Sequence, residues 1–535
     1  MRGDNNLEKT IYPGRALTVR YFFTVAHAVA AVCVCTLFTN PGFAEQNLYE
    51  RTTPGTIFSK PTLVDGSGED ARTEDVLIVG GRIEAIGDFL EVPGDEKIDA
   101  AGLVLAPGFI DSHSHHDEGL QENPHATAAI SQGITTIVVG LDGTSSMMAR
   151  PLQASIKATP VAINVATYTG HGSLRSMVMG NDYRREASSS EVTAMSALLE
   201  RELAAGSLGL STGLEYDPGI YSNTGEVIAL AKVAAVSNGR YISHMRSEDR
   251  NFEAAIEELL QIGEEADIPV QISHIKLASV DLWGQAGRIL KRLDVARAAG
   301  IDVTADIYPY TYWEASLSVL LPKRDFNDLE AANYVLEKLA PAPGLTLTYY
   351  EPNPKLVGKN IAQIATASGQ AEAETFLKLL RDAYDSAPNG DDHLFSRDSV
   401  MGVSMTEEDI AELIAWPHTN ICSDGGTQGH PRGFGAFPRA IHEYVVKKKI
   451  VSLEEMIRKM TSLSASHLGL KNRGSIELGY AADLVLLDIN TLKDNASIAN
   501  NSALSTGIVG VWVGGERVWS NAAPTGAYPG KFISP

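Results

Sequence analysis

The chain has 535 residues, 44% hydrophobic and 21% charged, with 66 acidic side chains against 44 basic ones and a net charge of −22. That is a globular composition, long enough for one large domain plus an appendage. The acidic balance argues against nucleic acid or an anionic membrane surface as a partner.

At the N-terminus, Arg15 and Arg20 precede the apolar stretch "YFFTVAHAVAAVCVCTLF", and "NPGFA" places small residues just before Glu45. Residues 1–44 are therefore predicted to be an export signal. The mature protein is expected to be periplasmic or secreted, with no stable membrane association after cleavage. Cys33 and Cys35 would leave with the signal, so Cys422 remains alone and no intrachain disulfide is expected.

Residues 45–106 read as short strands and turns, as in "EDVLIVGGRIEAIG", and residues 469–535 have the same character, as in "GIVGVWVGGERVW". Glycine pairs stand at hairpin positions in both. The two termini are predicted to build one small β-sandwich domain. Residues 107–468 instead alternate eight apolar runs with amphipathic helical text, the pattern of an α/β protein with a (β/α)₈ barrel. The runs are "LVLAPGFIDSH", "ITTIVVG", "VAINVATY", "SLGLSTGLEY", "RYISHMR", "PVQISHIK", "IDVTADIYPY" and "TNICSDG". About residues 315–415 interrupt the rhythm after strand seven. An insertion at that face of a barrel is predicted to act as a lid over the site.

The stretch "GFIDSHSHHD" places His113 and His115 two positions apart at a strand end, so both imidazoles project to one side. His244 ends strand five, His274 strand six and Asp424 strand eight. The C-terminal ends of barrel strands meet at one mouth. Four imidazoles and a carboxylate converging there suit Zn²⁺ or a similar divalent ion. Lys276 stands two residues after His274 and shares its face of the strand.

With "PGFIDSHSH", "GHGSLR", "GLSTGLEY", "SHMRSE", "SHIK", "DIYPY" and "HPRGFGAFPR" in this order, the chain resembles the amidohydrolase superfamily, and within it the D-aminoacylase (N-acyl-D-amino-acid deacylase) group. The resemblance implies hydrolysis of the amide of N-acyl-D-amino acids, or of D-containing dipeptides, by a metal-activated water, with a small molecule as substrate. It implies Asp424 as general acid and base, and Tyr216 as donor to the developing oxyanion. Lys276, Tyr308 and Arg432 would grip the substrate carboxylate, with Ser316 the nearest match to a serine of the group. One branch of the superfamily carries a bridging lysine at strand four. No lysine lies between Lys157 and Lys232 here, which disfavours the alternative of a cyclic-amide (hydantoinase-like or dihydroorotase-like) hydrolase. A non-catalytic relative, the other alternative, would show lost ligands, and none of the five is lost.

The group carries a cysteine ligand after strand two, where this chain reads "VVGLDG" and places Asp142. A carboxylate is harder than a thiolate and can bridge. One or two divalent ions are therefore expected, with Mn²⁺ or Co²⁺ accepted alongside Zn²⁺. Glu215, after strand four, is the second candidate for a carboxylate ligand.

Overall fold

The computed structural model describes residues 51–384 and 397–535; the predicted export signal, 1–44, lies outside them. No helix among the described residues is long and apolar enough to cross a membrane.

Both termini contribute to one seven-stranded sheet. Val104–Pro107 pairs on one side with Thr62–Leu63 and on the other, antiparallel, with Leu484–Leu487, which continues through Ile508–Val513 and Glu516–Ser520. A four-stranded sheet lies nearby in the chain, including Thr56–Ser59 and the hairpin of Val76–Val79 with Arg82–Ile86. Gly80 and Gly81 turn that hairpin with φ of 56° and 80°, the backbone that two-residue hairpins with primed turns require. The two sheets share an apolar cluster in which Phe58 meets Trp512 edge to face at 4.8 Å.

The middle of the chain forms two all-parallel sheets. One joins β1 (Phe109–Asp111), β2 (Ile134–Val139) and β3 (Asn164–Thr167). The other starts at Thr169–Gly170, which continues β3 past Tyr168. It then runs through β4 (Gly209–Gly213), β5 (Arg240–His244), β6 (Val270–Ile272), β7 (Val303–Ile307) and β8 (Thr419–Ile421). Nearly every strand residue is buried, as expected of parallel strands covered on both faces. Helices connect them. Ser189–Ala204 opens on a capping box, in which the Ser188 side chain accepts from the Glu191 N–H and Glu191 accepts from the Ser188 N–H.

Beyond β8 the chain is tied back to the end of β1. The Asp424 N–H donates to the His113 carbonyl at 2.8 Å, and the His115 N–H donates to the Gly425 carbonyl at 2.9 Å. Asp111, fully buried, accepts from both the N–H and the hydroxyl of Ser423. Burial pushes the Asp111 carboxyl up to about 6, although the Ser423 bonds oppose the rise.

Between β7 and β8 the chain builds a small antiparallel sheet in which Asp398–Val403 pairs with both Tyr312–Ala315 and Leu345–Tyr350. Helices Ile361–Ser368 and Glu372–Tyr384 lie in the same interval. The helix that follows, Glu407–Ala415, packs against Ala286–Ala298, a helix between β6 and β7, and leads into β8.

Replacing Asp111 by alanine strands the buried Ser423 N–H. Asp111→Ala should cost about 1–3 kcal/mol of unfolding free energy and displace Asp424, lowering metal content. Denaturant unfolding and metal analysis of the same preparation read both effects.

Candidate metal centre

Because the strands are parallel, the segments leaving their C-terminal ends face one side, and the donors predicted from sequence come together there. The Oδ2 atom of Asp142 lies 3.3 Å from His113 Nε2 and 3.4 Å from His115 Nε2. Oδ1 of Asp424 lies 3.5 Å and 3.3 Å from the same two nitrogens. The other oxygen of Asp142, Oδ1, lies 3.3 Å from His274 Nε2, which in turn is 3.1 Å from His244 Nδ1. One carboxylate thus faces two groups of donors.

These separations provide a test of fit. Four donors held tetrahedrally at the bond lengths of zinc, about 2.0–2.1 Å, are separated from one another by about 3.3–3.4 Å. The four histidine–carboxylate separations among His113, His115, Asp142 and Asp424 fall at or beside that value. The donor set, imidazole and carboxylate, is also the one zinc and similar divalent ions take. The residues fit the group that the sequence implied.

Convergence demands unusual backbone. Asp142 (φ 50°), His274 (φ 34°) and Asp424 (φ 48°) all adopt left-handed conformations, immediately after β2, β6 and β8. For a residue with a Cβ, such strain costs about 1–3 kcal/mol each and is concentrated at functional sites. Asp306, fully buried on β7, counters it at His274 by accepting that residue's N–H at 2.6 Å.

The carboxylates set the electrostatics. Burial would lower the proton affinity of His115, but bonds to Asp142 and Asp424 overcome it and raise the pKa well above the usual histidine value. For His274, burial and Lys276 lower the value while Glu248, Asp424 and Asp142 bring it up to about 10. A field that holds protons so firmly on imidazole is equally favourable to a divalent cation. Burial opposes ionisation of Asp142 and Asp424, yet their cationic neighbours keep both well below the ordinary carboxylate range.

Glu215 and Tyr216 reach the site differently. Oε2 of Glu215 is 3.0 Å from His244 Nε2, the ring nitrogen opposite the one that faces His274. It is placed to orient that imidazole. Burial pushes the Glu215 carboxyl up to about 7 against the His244 bond that lowers it. The Tyr216 ring lies 4.3 Å from the His244 ring, and burial keeps its phenol protonated.

Above the donors opens a cavity of about 420 Å³, lined among others by Lys276, Tyr308, Ser316 and Arg432. The buried Tyr308 hydroxyl has no partner among the described residues, and the Arg432 guanidinium lies over the Tyr308 ring at 4.6 Å. Both cations already hold a carboxylate: Arg432 Nη1 lies 2.7 Å from Asp424 Oδ2, and Lys276 Nζ lies 2.8 and 2.7 Å from the two oxygens of Glu248. Ser316 Oγ lies 2.8 Å from Ser318 Oγ.

Glu248 was missed by sequence reasoning, although it stands inside the quoted motif "SHMRSE". It bonds Lys276 and lies 2.9 Å from His274 Nδ1, fixing the ring whose other nitrogen faces Asp142. Its position four residues past His244, itself at a strand end, was the available signal. Asp306 and Glu314 were missed as well.

The amidohydrolase family model matches residues 96–335 and 362–519, and by that match the chain belongs to the amidohydrolase family. Within it, the chain is similar to D-aminoacylase of Alcaligenes xylosoxydans xylosoxydans, 33% identical over 499 residues that cover 88% of this chain and 96% of that protein. A solved D-aminoacylase superposes with a TM-score of 0.80 at 32% identity, covering 90% of this chain and 99% of that one. N-acyl-D-glutamate deacylase from Bordetella bronchiseptica, solved with zinc and a phosphonate inhibitor, superposes with a TM-score of 0.79 at 30% identity, covering 90% and 100%.

The geometry separates the two carboxylate candidates. Asp142→Ala should lower metal content and activity together, by at least the roughly 10–100-fold in affinity that losing a ligand's outer-shell support costs. Glu215→Ala should lower activity with smaller metal loss. Full occupancy in Asp142→Ala with an emptied Glu215→Ala would reverse the assignment.

Proposed function

We propose that the protein is a metal-dependent hydrolase that releases a D-amino acid from an N-acyl-D-amino acid or a D-containing dipeptide. The single observation that carries the reading is Asp142. Its carboxylate faces His113 and His115, which Asp424 also faces, through one oxygen and His274, beside which His244 stands, through the other, at the floor of a cavity lined by Lys276, Tyr308 and Arg432.

Bound there, Zn²⁺ or another divalent ion, one or two in number and with Mn²⁺ or Co²⁺ accepted, supplies an acidified water and Lewis-acid polarisation of the amide carbonyl. Asp424 takes the proton of the attacking water and returns it to the leaving nitrogen. Its Oδ1 faces the imidazoles while Arg432 holds Oδ2, so the base cannot rotate away. Tyr216, protonated, donates to the oxyanion that develops at the carbonyl. The unpartnered Tyr308 hydroxyl, with Lys276, Arg432 and Ser316 around it, receives the α-carboxylate. Two substituents of the α-carbon are then fixed, and inverting that centre turns the side chain into the wall.

The architecture is read in the same terms. β1 to β8 form one closed barrel, its seam being the bonds between Asp424, Gly425 and the His113–His115 segment. The two sheets that share Phe58 and Trp512 form a sandwich from residues 45–106 and 469–535, flanking a hydrolase domain of 107–468. The interval between β7 and β8 acts as a lid, since it supplies Ser316 to the cavity wall. Residues 1–44 direct export, which cell fractionation checks. The absence of a lysine between Lys157 and Lys232 speaks against a cyclic amide as substrate.

The decisive experiment is a hydrolysis screen of paired N-acetyl-D- and N-acetyl-L-amino acids, with metal measured on the same sample. Turnover of the D series alone is expected, and equal rates for both hands would refute the reading. Asp424→Asn should retain most of its metal and lose about 10²–10⁴-fold in kcat. Excising residues 361–396 should raise KM with metal content unchanged, and an unaltered KM in the folded deletion would remove the lid.

A further inference from the structure

The cavity holds more negative charge than its own cations neutralise. Seven carboxylates line it against two permanent cations, Lys276 and Arg432, and both cations are taken, by Glu248 and Asp424. Asp249 is held by Ser247 and Arg250, and Asp142, Glu215, Glu248 and Asp424 face imidazoles. Glu314 does not. It stands on Tyr312–Ala315 in the lid interval, half-buried, and forms no ion pair with any described residue.

Glu314 is nevertheless held in place. The hydroxyls of Thr348 and Ser399 donate to its Oε1 at 2.6 and 2.8 Å, which fixes the carboxylate of a cavity-lining residue and leaves Oε2 with no hydrogen-bond partner among the described residues. Room for it depends on Gly429, whose φ of 80° favours glycine and where a Cβ would collide with both carboxylate oxygens. Val319, Leu320 and Leu339 line the same cavity, so an aliphatic stem has an apolar wall to lie on.

We infer that Glu314 selects a basic side chain: the preferred substrates are N-acyl derivatives of D-lysine or D-arginine, whose ammonium or guanidinium meets Glu314 Oε2 while the α-carboxylate occupies the clamp. This rests on the deacylase reading given above. A carboxylate with its other oxygen satisfied and no cation within ion-pair distance, Arg432 acting on it only from farther off, is complementary to a donor that carries charge. It disfavours an acidic side chain and offers nothing to an apolar one.

The test compares kcat/KM for N-acetyl-D-lysine, -D-arginine, -D-leucine and -D-glutamate, together with calorimetric binding of the products D-lysine and D-leucine to the zinc-loaded enzyme. The basic substrates should exceed the leucine substrate by about tenfold or more, with the glutamate substrate slowest. Glu314→Gln should cut the lysine-over-leucine ratio about thirtyfold, chiefly through KM, and weaken D-lysine binding by a similar factor. Wild-type rates for leucine or glutamate equal to those for lysine, or a ratio unmoved by Glu314→Gln, would overturn the inference while leaving the deacylase reading intact. Hydrolysis of none of the four, with D-lysine still bound through Glu314, would overturn the deacylase reading and uphold the site.

Discussion

The structure is governed by one geometric demand: imidazoles and carboxylates from five strand ends must reach within about one hydrogen-bond length of a common point. Extended strands cannot do this alone, because their ends are spaced by the sheet. The chain meets the demand by bending into left-handed backbone at Asp142, His274 and Asp424. Strain of this kind persists only where surroundings over-determine it. Here the surroundings are visible: the bonds that join Asp424 and Gly425 to the β1 segment, and the Asp306 carboxylate under the His274 N–H. Repulsion and strain at the donors are relieved by a cation, so its binding energy is also folding energy.

The second theme is charge shared between roles. Arg432 lines the cavity and also holds Asp424, so in the proposed reaction a substrate carboxylate at Arg432 would change the field on the proposed proton carrier. Lys276 likewise connects the cavity wall to His274 through Glu248. On the proposed reading, substrate binding and donor orientation would therefore not be separable by mutating one cation. Asp142 extends the pattern, since a carboxylate offers two oxygens to two donor groups where the thiolate implied by the resemblance would offer a single soft atom.

Much of this was legible in the sequence because the fold repeats. Alternating apolar runs gave the order of the parallel strands, and a histidine or aspartate at the end of a run already implies where it points. The pairing of His113 with His115 followed from strand periodicity, and Asp142 from the resemblance, which puts it where the group carries its cysteine. What stayed hidden depends on contacts across the chain. Glu314 becomes a cavity residue only through its hydroxyl partners at Thr348 and Ser399, brought alongside by the small antiparallel sheet. Glu215 was in reach of the site from sequence, but which nitrogen of His244 it meets is a ring orientation no spacing encodes. Asp306 looked like one more residue of a buried strand.

The seven-stranded sheet carries a consequence for the life of the chain. Val104–Pro107 emerges from the ribosome early, yet its antiparallel neighbour is Leu484–Leu487, and Val165 also bonds the tail through Lys531 and Ile533. Until those partners have been made, these strands have an open edge and an uncovered apolar face, the exposure that chaperones recognise. Closing so long a loop is slow, although the entropy rises only logarithmically with its length. The sheet is therefore completed only once residues as distant as 484–487 have been made, and removing Lys531 or Ile533 would be felt at Val165, on a strand made far earlier.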